Sequence, residues 1–183
     1  MATTKEVSQF VKLTGPHHRQ LLRIALALCR DRDLAADLTQ ETLLRAFLAM
    51  DRFRPGAPML PWLARILRNV FLDTRKTGRA RHEIAEHQLP PDGLSPLSQA
   101  KSTTPQPLAQ AEQAQLCLWL QEELNALPSP QQLLLVLCDV EGFTYQEAAD
   151  VAGVPVGTVR SRLSRGREAL RLRLQKRLSE ENR

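Results

Sequence analysis

Apolar residues recur at spacings of three and four along most of this chain, a rhythm that predicts helices throughout. The first stripe, Leu21, Leu22, Ala25, Leu28 and Cys29, marks a helix over residues 16–29. Asp31-Arg32-Asp33 interrupts it, and Asp33 is a suitable N-cap for a helix over 34–50. In that helix Leu34, Leu38, Thr42, Phe47 and Leu48 can face a core. Asp37, Gln40, Glu41 and Leu44 share another face, which suits either a partner helix carrying arginines or plain solvation. Residues 53–61 hold Pro55, Gly56, Pro58 and Pro61 and read as a loop. A third helix is expected over 62–77, ending at Gly78. Its apolar Trp62, Leu63, Ile66, Leu67, Val70 and Phe71 alternate with Arg65, Arg68, Asn69, Arg75 and Lys76. A basic helix after an aromatic loop fits DNA whose strands have separated, with arginines on phosphates and an amide and aromatics on an unstacked base. A membrane surface is the rival partner, but the basic residues do not line one clean face.

The rhythm then stops. Residues 89–110 carry five prolines (Pro90, Pro91, Pro96, Pro105, Pro107) with Gly93 and several serines, the composition of a flexible linker. Taking 89–111 as the linker leaves domains at 10–88 and 112–178. At about 3.3 Å per residue such a linker can stretch to roughly 70 Å. Beyond it a helix is expected over 111–127, then a capping box of Ser129 with Gln132, with Pro130 at the first helical position. The apolar run 133–138 predicts a buried helix, broken by Gly142. Thr144 and Glu147 form a second capping box that opens a short helix over 145–152. Gly153-Val154-Pro155 turns the chain into a last helix over 156–178. Helix, glycine turn and basic helix is the helix-turn-helix layout, with a generic helical hairpin as the alternative. At about 100° per residue, Val159, Leu163, Gly166 and Leu170 face the core. Thr158, Ser161, Ser164 and Arg165 face outward, flanked by Arg160 and Arg162, a set suited to a major groove. Glu168 also points outward and would repel phosphate, so the reading face is expected to end near Arg167.

Composition adds little until it is resolved along the chain. The 183 residues are 43% hydrophobic and only 4% aromatic, with a net charge of +5. Residues 1–88 hold 15 basic and 9 acidic side chains, 112–150 hold seven acids and no base, and 151–183 hold nine bases and three acids. Two basic blocks flank an acidic one, as in a multi-site binder of nucleic acid or of a partner, or as in solvated helix faces of differing sign. The longest apolar run is six residues, against roughly 18 for a membrane span. The N-terminus has no basic head followed by an apolar stretch, so no secretory signal is expected. Cys29, Cys117 and Cys138 lie far apart with no CxxC spacing and read as buried, reduced thiols of a cytoplasmic protein. His17-His18 lacks further ligands at metal spacing. No nucleophile–base set, Gly-rich phosphate loop or metal cluster stands out, so neither an enzyme nor a cofactor is expected.

Four motifs in order complete the reading: Asp37-Leu38-Thr39-Gln40-Glu41-Thr42, Trp62-Leu63-Ala64-Arg65-Ile66-Leu67-Arg68-Asn69, Gly142-Phe143-Thr144-Tyr145-Gln146-Glu147-Ala148-Ala149, and Val154-Pro155-Val156-Gly157-Thr158-Val159-Arg160-Ser161-Arg162. With them the chain closely resembles the extracytoplasmic-function (group IV) sigma factors of bacterial RNA polymerase, part of the sigma-70 family. The resemblance implies an all-α fold: a region 2 helical bundle and a region 4 helix-turn-helix joined by the linker. It implies that Asp37, Gln40, Glu41 and Leu44 dock on the clamp helices of the polymerase beta-prime subunit, with the beta flap as a further contact. Phe53, Arg54, Trp62, Arg65, Arg68, Asn69, Arg75 and Lys76 would hold the melted −10 element. Thr158, Arg160, Ser161, Arg162, Ser164 and Arg165 would read the −35 element as duplex. An anti-sigma partner is implied as well, and no membrane insertion. Two departures bear on specificity. The loop over 54–61 is rich in proline where small polar and acidic residues are common, which leaves the −10 base open. Gly166 stands where alanine is usual and is expected to loosen its helix by about 1 kcal/mol. The second function considered is a stand-alone helix-turn-helix regulator that binds operators without polymerase.

Overall fold

The computed structural model describes residues 4–82 and 107–181, so the expected linker lies outside the described residues as far as 106. Every element among the described residues is helical. A first group comprises α1 (Thr4–Thr14), α2 (His18–Cys29), α3 (Arg32–Leu48) and α4 (Met59–His82), with single 3-10 turns at Gly15–His17 and Met50–Arg52. A second comprises α5 (Pro107–Asn125), α6 (Ser129–Leu135), a π-helical turn at Val136–Val140, α7 (Tyr145–Ala152) and α8 (Val156–Glu181).

In the first group α2, α3 and α4 pack on one another. Leu21, Ile24, Leu38, Leu63, Leu67 and Val70 are buried there. Three local features differ from expectation. Asp31, not Asp33, caps α3: its extended backbone lets Oδ1 accept from the Leu34 amide at 2.8 Å, and Asp33 falls in the first turn, where its charge favours the helix dipole. Leu48 is 73% exposed. The buried stripe of α3 is Ala35, Leu38, Thr39, Thr42 and Ala46, and a residue two beyond Ala46 turns about 200° away from it. Its threonines are compatible with burial because their hydroxyls donate to carbonyls four residues back, Thr39 to Ala35 at 2.7 Å and Thr42 to Leu38 at 2.6 Å. Finally α4 begins at Met59, because Pro61 in the first turn removes an amide that would have no helical partner. It also continues through Gly78 to His82. The helix α1 was not anticipated, although Val7, Phe10, Val11 and Thr14 carry the helical spacing. Phe10 meets Phe47 of α3 edge-on, with ring centroids 5.2 Å apart.

In the second group α5 starts at Pro107, inside the stretch expected as linker. The Ser129–Gln132 capping box does not form. The Gln131 and Gln132 amides both donate to the Pro128 carbonyl, at 2.9 and 3.0 Å, so Ser129 already lies within α6. The Gln132 side chain turns inward instead and donates to Asn125 Oδ1 at 2.8 Å. The Thr144–Glu147 box has both its arms: the Glu147 amide donates to Thr144 Oγ1 and the Thr144 amide to Glu147 Oε2. Gly153 closes α7 in the left-handed conformation, φ +66°, a cap that glycine adopts without strain. On α8, Val159 and Leu163 are fully buried, Gly166 is buried and Leu170 half-buried, as the phase argument requires. Gly166 is where α8 and α6 approach closely, since a Cβ there would lie 3.2 Å from Leu135 Cδ1 and 3.3 Å from Gln131 Cβ. Its missing side chain therefore gains contact between helices in return for lower helix propensity.

The buried side chains of both groups belong to one hydrophobic cluster. Helix α2 lies against α6 and the π-turn, and α4 lies against α7.

Candidate nucleic-acid interface

Helix α8 turns outward the residues expected to read duplex. Arg160, Ser161, Ser164 and Arg165 are exposed, and Thr158 and Arg162 are half-buried beside them. Among the described residues no acid lies within ion-pair reach of Arg160, Arg162 or Arg165. Arg165 makes only a long 3.4 Å contact from Nε to the Ser161 carbonyl. One turn further the chemistry changes. Arg167 forks onto Asp139 with bonds of 2.9 and 2.6 Å, which holds its guanidinium charged well above the usual arginine range. Glu168 pairs with Arg171 at 2.6 Å, and that cation lowers the glutamate's pKa. The unpaired cations thus stop short of Arg167, where Glu168 was expected to end the face.

In the first group, Phe53 and Trp62 meet across the loop with centroids 5.1 Å apart. Arg54, Asn69, Arg75 and Lys76 are exposed, and Arg75 lies over the Phe71 ring at 5.7 Å. Two residues of the set are engaged elsewhere. Arg65 is ion-paired to Asp150 of α7, and the Arg68 guanidinium lies so close to Gly153 that a Cβ there would collide with it. Sequence reasoning did not find these contacts.

The α3 face carries Asp37, Gln40 and Leu44 exposed, with Leu44 at 55%. Glu41 is tied to Arg45 at 2.7 Å, and Arg45 continues to Asp73 of α4 at 2.8 Å. Beside Leu44 an open apolar cavity of about 510 Å³ is lined by Val7, Phe10, Val11, Leu43 and Phe47 among others. This groove depends on α1 and was missed with it. The cysteines divide. Cys117 is exposed, contrary to expectation, as are Leu116, Leu118 and Leu120 around it on α5. Cys29 and Cys138 are half-buried, and burial raises both thiol pKa values. His17 shares a 2.8 Å hydrogen bond with Gln20. No group of potential metal ligands occurs among the described residues, and no described helix is long and apolar enough to cross a membrane.

A basic helix-turn-helix and a second bundle with a basic, aromatic-flanked helix have the chemistry of a nucleic-acid binder. Known proteins narrow the class. Residues 13–81 match the family model for Sigma-70 region 2, and residues 117–170 match that for Sigma-70, region 4. The chain is 38% identical over 153 residues to the ECF RNA polymerase sigma factor EcfG of Rhodopseudomonas palustris, covering 82% of this chain and 76% of that one. It is 38% identical over 170 residues to the ECF RNA polymerase sigma factor SigE of Mycolicibacterium smegmatis, covering 92% of this chain but 63% of the relative. Among solved structures it superposes on the sigma factor RpoE from Bartonella quintana, co-crystallised with the anti-sigma factor NepR, with a TM-score of 0.68 and 31% identity over 94% of this chain and 98% of that one. CnrH, in complex with the cytosolic domain of CnrY, shares the fold at a TM-score of 0.54 and 24% identity over 91% and 88%. The chain belongs to the ECF sigma factors of the sigma-70 family.

Proposed function

We propose that this chain binds core bacterial RNA polymerase and directs it to particular promoters, acting in the cytoplasm where both are found. The outward face of α8 carries the reading: unpaired guanidiniums edge a short-polar centre, in a helix seated by the Thr144 capping box and the Gly153 turn. Thr158, Arg160, Ser161, Arg162, Ser164 and Arg165 are assigned to the −35 duplex. Phe53, Arg54, Trp62, Arg65, Arg68, Asn69, Arg75 and Lys76 are assigned to the separated −10 strands. Asp37, Gln40, Glu41 and Leu44, with the apolar groove beside them, are assigned to the polymerase clamp helices. The sigma factor RpoE, 31% identical to this chain, was co-crystallised with the anti-sigma factor NepR. An anti-sigma partner is proposed here on that likeness.

Family membership sets aside a stand-alone operator binder. The test is run-off transcription with purified core polymerase on a promoter mapped from native transcripts. Promoter-dependent transcripts that need this chain are expected. Tight, specific duplex binding without polymerase and no transcript with it would overturn the proposal.

A further inference from the structure

The row of free cations on α8 stops abruptly. Arg160, Ser164 and Arg167 follow one another at spacings of four and three, so they lie in one line along the helix. Arg167 would therefore continue the basic edge, about 10 Å along the axis from Arg160. Its guanidinium is instead held in a fork by Asp139 of the π-turn, which accepts from Nε at 2.9 Å and from Nη2 at 2.6 Å. Tyr145, at the first position of α7, is a further hydrogen-bond partner. The close approach at Gly166 sets up the fork. A Cβ there would lie 3.2 Å from Leu135 Cδ1, so the bare backbone lets α8 draw near α6, and Asp139 follows Leu135 by four residues. Next along, Glu168 is neutralised by Arg171 at 2.6 Å. Two ion pairs thus form a charge-neutral collar directly after Arg160, Arg162 and Arg165.

We infer that Asp139 is a positioning residue that withholds Arg167 from the phosphate backbone, and so limits how strongly α8 grips DNA of any sequence. The inference rests on the assignment of α8 to duplex DNA proposed above. Stability gives little reason for the fork, because the Arg167 and Asp139 side chains are 49% and 36% exposed and so screened a pair adds little. What Asp139 changes is the charge offered to DNA. Without it, α8 would present one more free guanidinium beside Arg160, Arg162 and Arg165. A carboxylate and a phosphate compete for the same fork of an arginine. While Asp139 holds that fork, Arg167 adds nothing to the phosphate contacts that dominate sequence-independent binding. The residues assigned to the −35 duplex end at Arg165, ahead of the collar, so bulk DNA loses attraction while no reading residue is lost. A genome offers about 10⁶–10⁹ competing non-specific sites, so even a modest lowering of that attraction leaves more of the chain unbound.

The test uses the full chain with Asp139→Asn, Arg167→Ala and the two together. Asp139→Asn keeps the size of the side chain and removes its charge, and Asp139→Ser repeats the loss of charge with a smaller group. Circular dichroism shows that each variant is folded. Binding is read by anisotropy with a fluorescein-labelled mixed-sequence duplex, at salt between about 50 and 200 mM. Asp139→Asn is expected to tighten binding by about 2- to 5-fold at the lowest salt. The salt slope should steepen by about 0.9, one added phosphate contact, which removes about 3.5-fold of that gain by the highest salt. Arg167→Ala should stay within about twofold of the parent throughout. The double variant should return to the parent slope, because the released arginine is gone. A slope unchanged in both neutral variants would overturn the inference. So would a gain that persists in the double variant, since it would then come from the lost carboxylate or a shifted helix. The duplex assignment is judged separately, with a duplex carrying the −35 element of a mapped promoter. Lost affinity in Arg165→Ala supports that assignment and unchanged affinity overturns it, while the Asp139–Arg167 cycle stands or falls on its own slopes.

Discussion

Replacing Arg165 with alanine removes a guanidinium that the fold leaves without an acid, and replacing Arg167, two residues on, removes one that the fold has already consumed. Arg165 contacts only a carbonyl of its own helix, at 3.4 Å, so its loss should leave stability within about 0.5 kcal/mol of the parent. If it forks onto a base edge, its loss costs about 1–3 kcal/mol of discrimination, or about 5- to 150-fold in affinity for the −35 duplex. If it clamps a phosphate, the loss is uniform across sequences and the salt slope falls by about 1. Arg167 behaves oppositely. Its fork on Asp139 joins side chains 49% and 36% exposed, so solvent screening limits the pair to about 0.2–1 kcal/mol of stability. The Arg167→Ala variant should therefore melt slightly earlier and bind duplex nearly as well as the parent. Anisotropy titrations of both holoenzymes on a transcribed promoter, at several salt concentrations, distinguish the cases. Equal losses for the two variants, or a loss confined to Arg167→Ala, would refute the assigned face.

Other sites give sharper tests of single steps. Leu44→Asp puts a charge beside the apolar groove on a side chain already 55% exposed, so folding should hold while capture of core polymerase in a pull-down falls at least about tenfold. Asn69→Ala should weaken promoter opening without touching duplex binding, and an unchanged permanganate footprint would remove Asn69 from the melted-strand set. Thr144→Ala deletes one arm of the capping box at the start of α7 and should cost about 0.5–2 kcal/mol by chemical denaturation. Maleimide labelling near neutral pH should modify Cys117 first. Burial raises the pKa of Cys29 and Cys138 and lowers their reactive thiolate fraction, so their labelling should lag and accelerate as pH rises.

Much of this was legible in the sequence because it is local. Capping boxes, glycine turns and the phase of a buried stripe act over a few residues, and Thr144, Glu147, Gly153, Val159 and Leu163 lie where periodicity placed them. Misses arose where two local signals competed. Asp31 and Asp33 are both good caps, and the left-handed C-cap at Arg30, whose amide donates to the Leu26 carbonyl, ends α2 so that Asp31 takes the capping position. Ser129 lost to Pro128 because the proline carbonyl captures two amides. The α1 helix was legible in Val7, Phe10, Val11 and Thr14, yet its purpose was not, since its partner Phe47 lies 37 residues beyond Phe10.

The charge segregation has a different meaning in the folded chain from the one its sequence suggested. The acidic block over 112–150, seven acids and no base, read as a scaffold between two basic, DNA-binding ends. In the structure Glu141 and Asp150 pair with Arg23 and Arg65 of the first group. Glu122, Glu123 and Asp139 pair with Arg177, Arg173 and Arg167 of α8. The block is thus the internal counter-charge of both basic ends, and it leaves Arg160, Arg162 and Arg165 uncompensated. A chain whose basic ends were free would bind any polyanion strongly in proportion to its charge. Here the acids offset part of that non-specific attraction and spare Arg160, Arg162 and Arg165. On the proposed function, discrimination between promoter and bulk DNA then rests on the guanidiniums that remain unpaired.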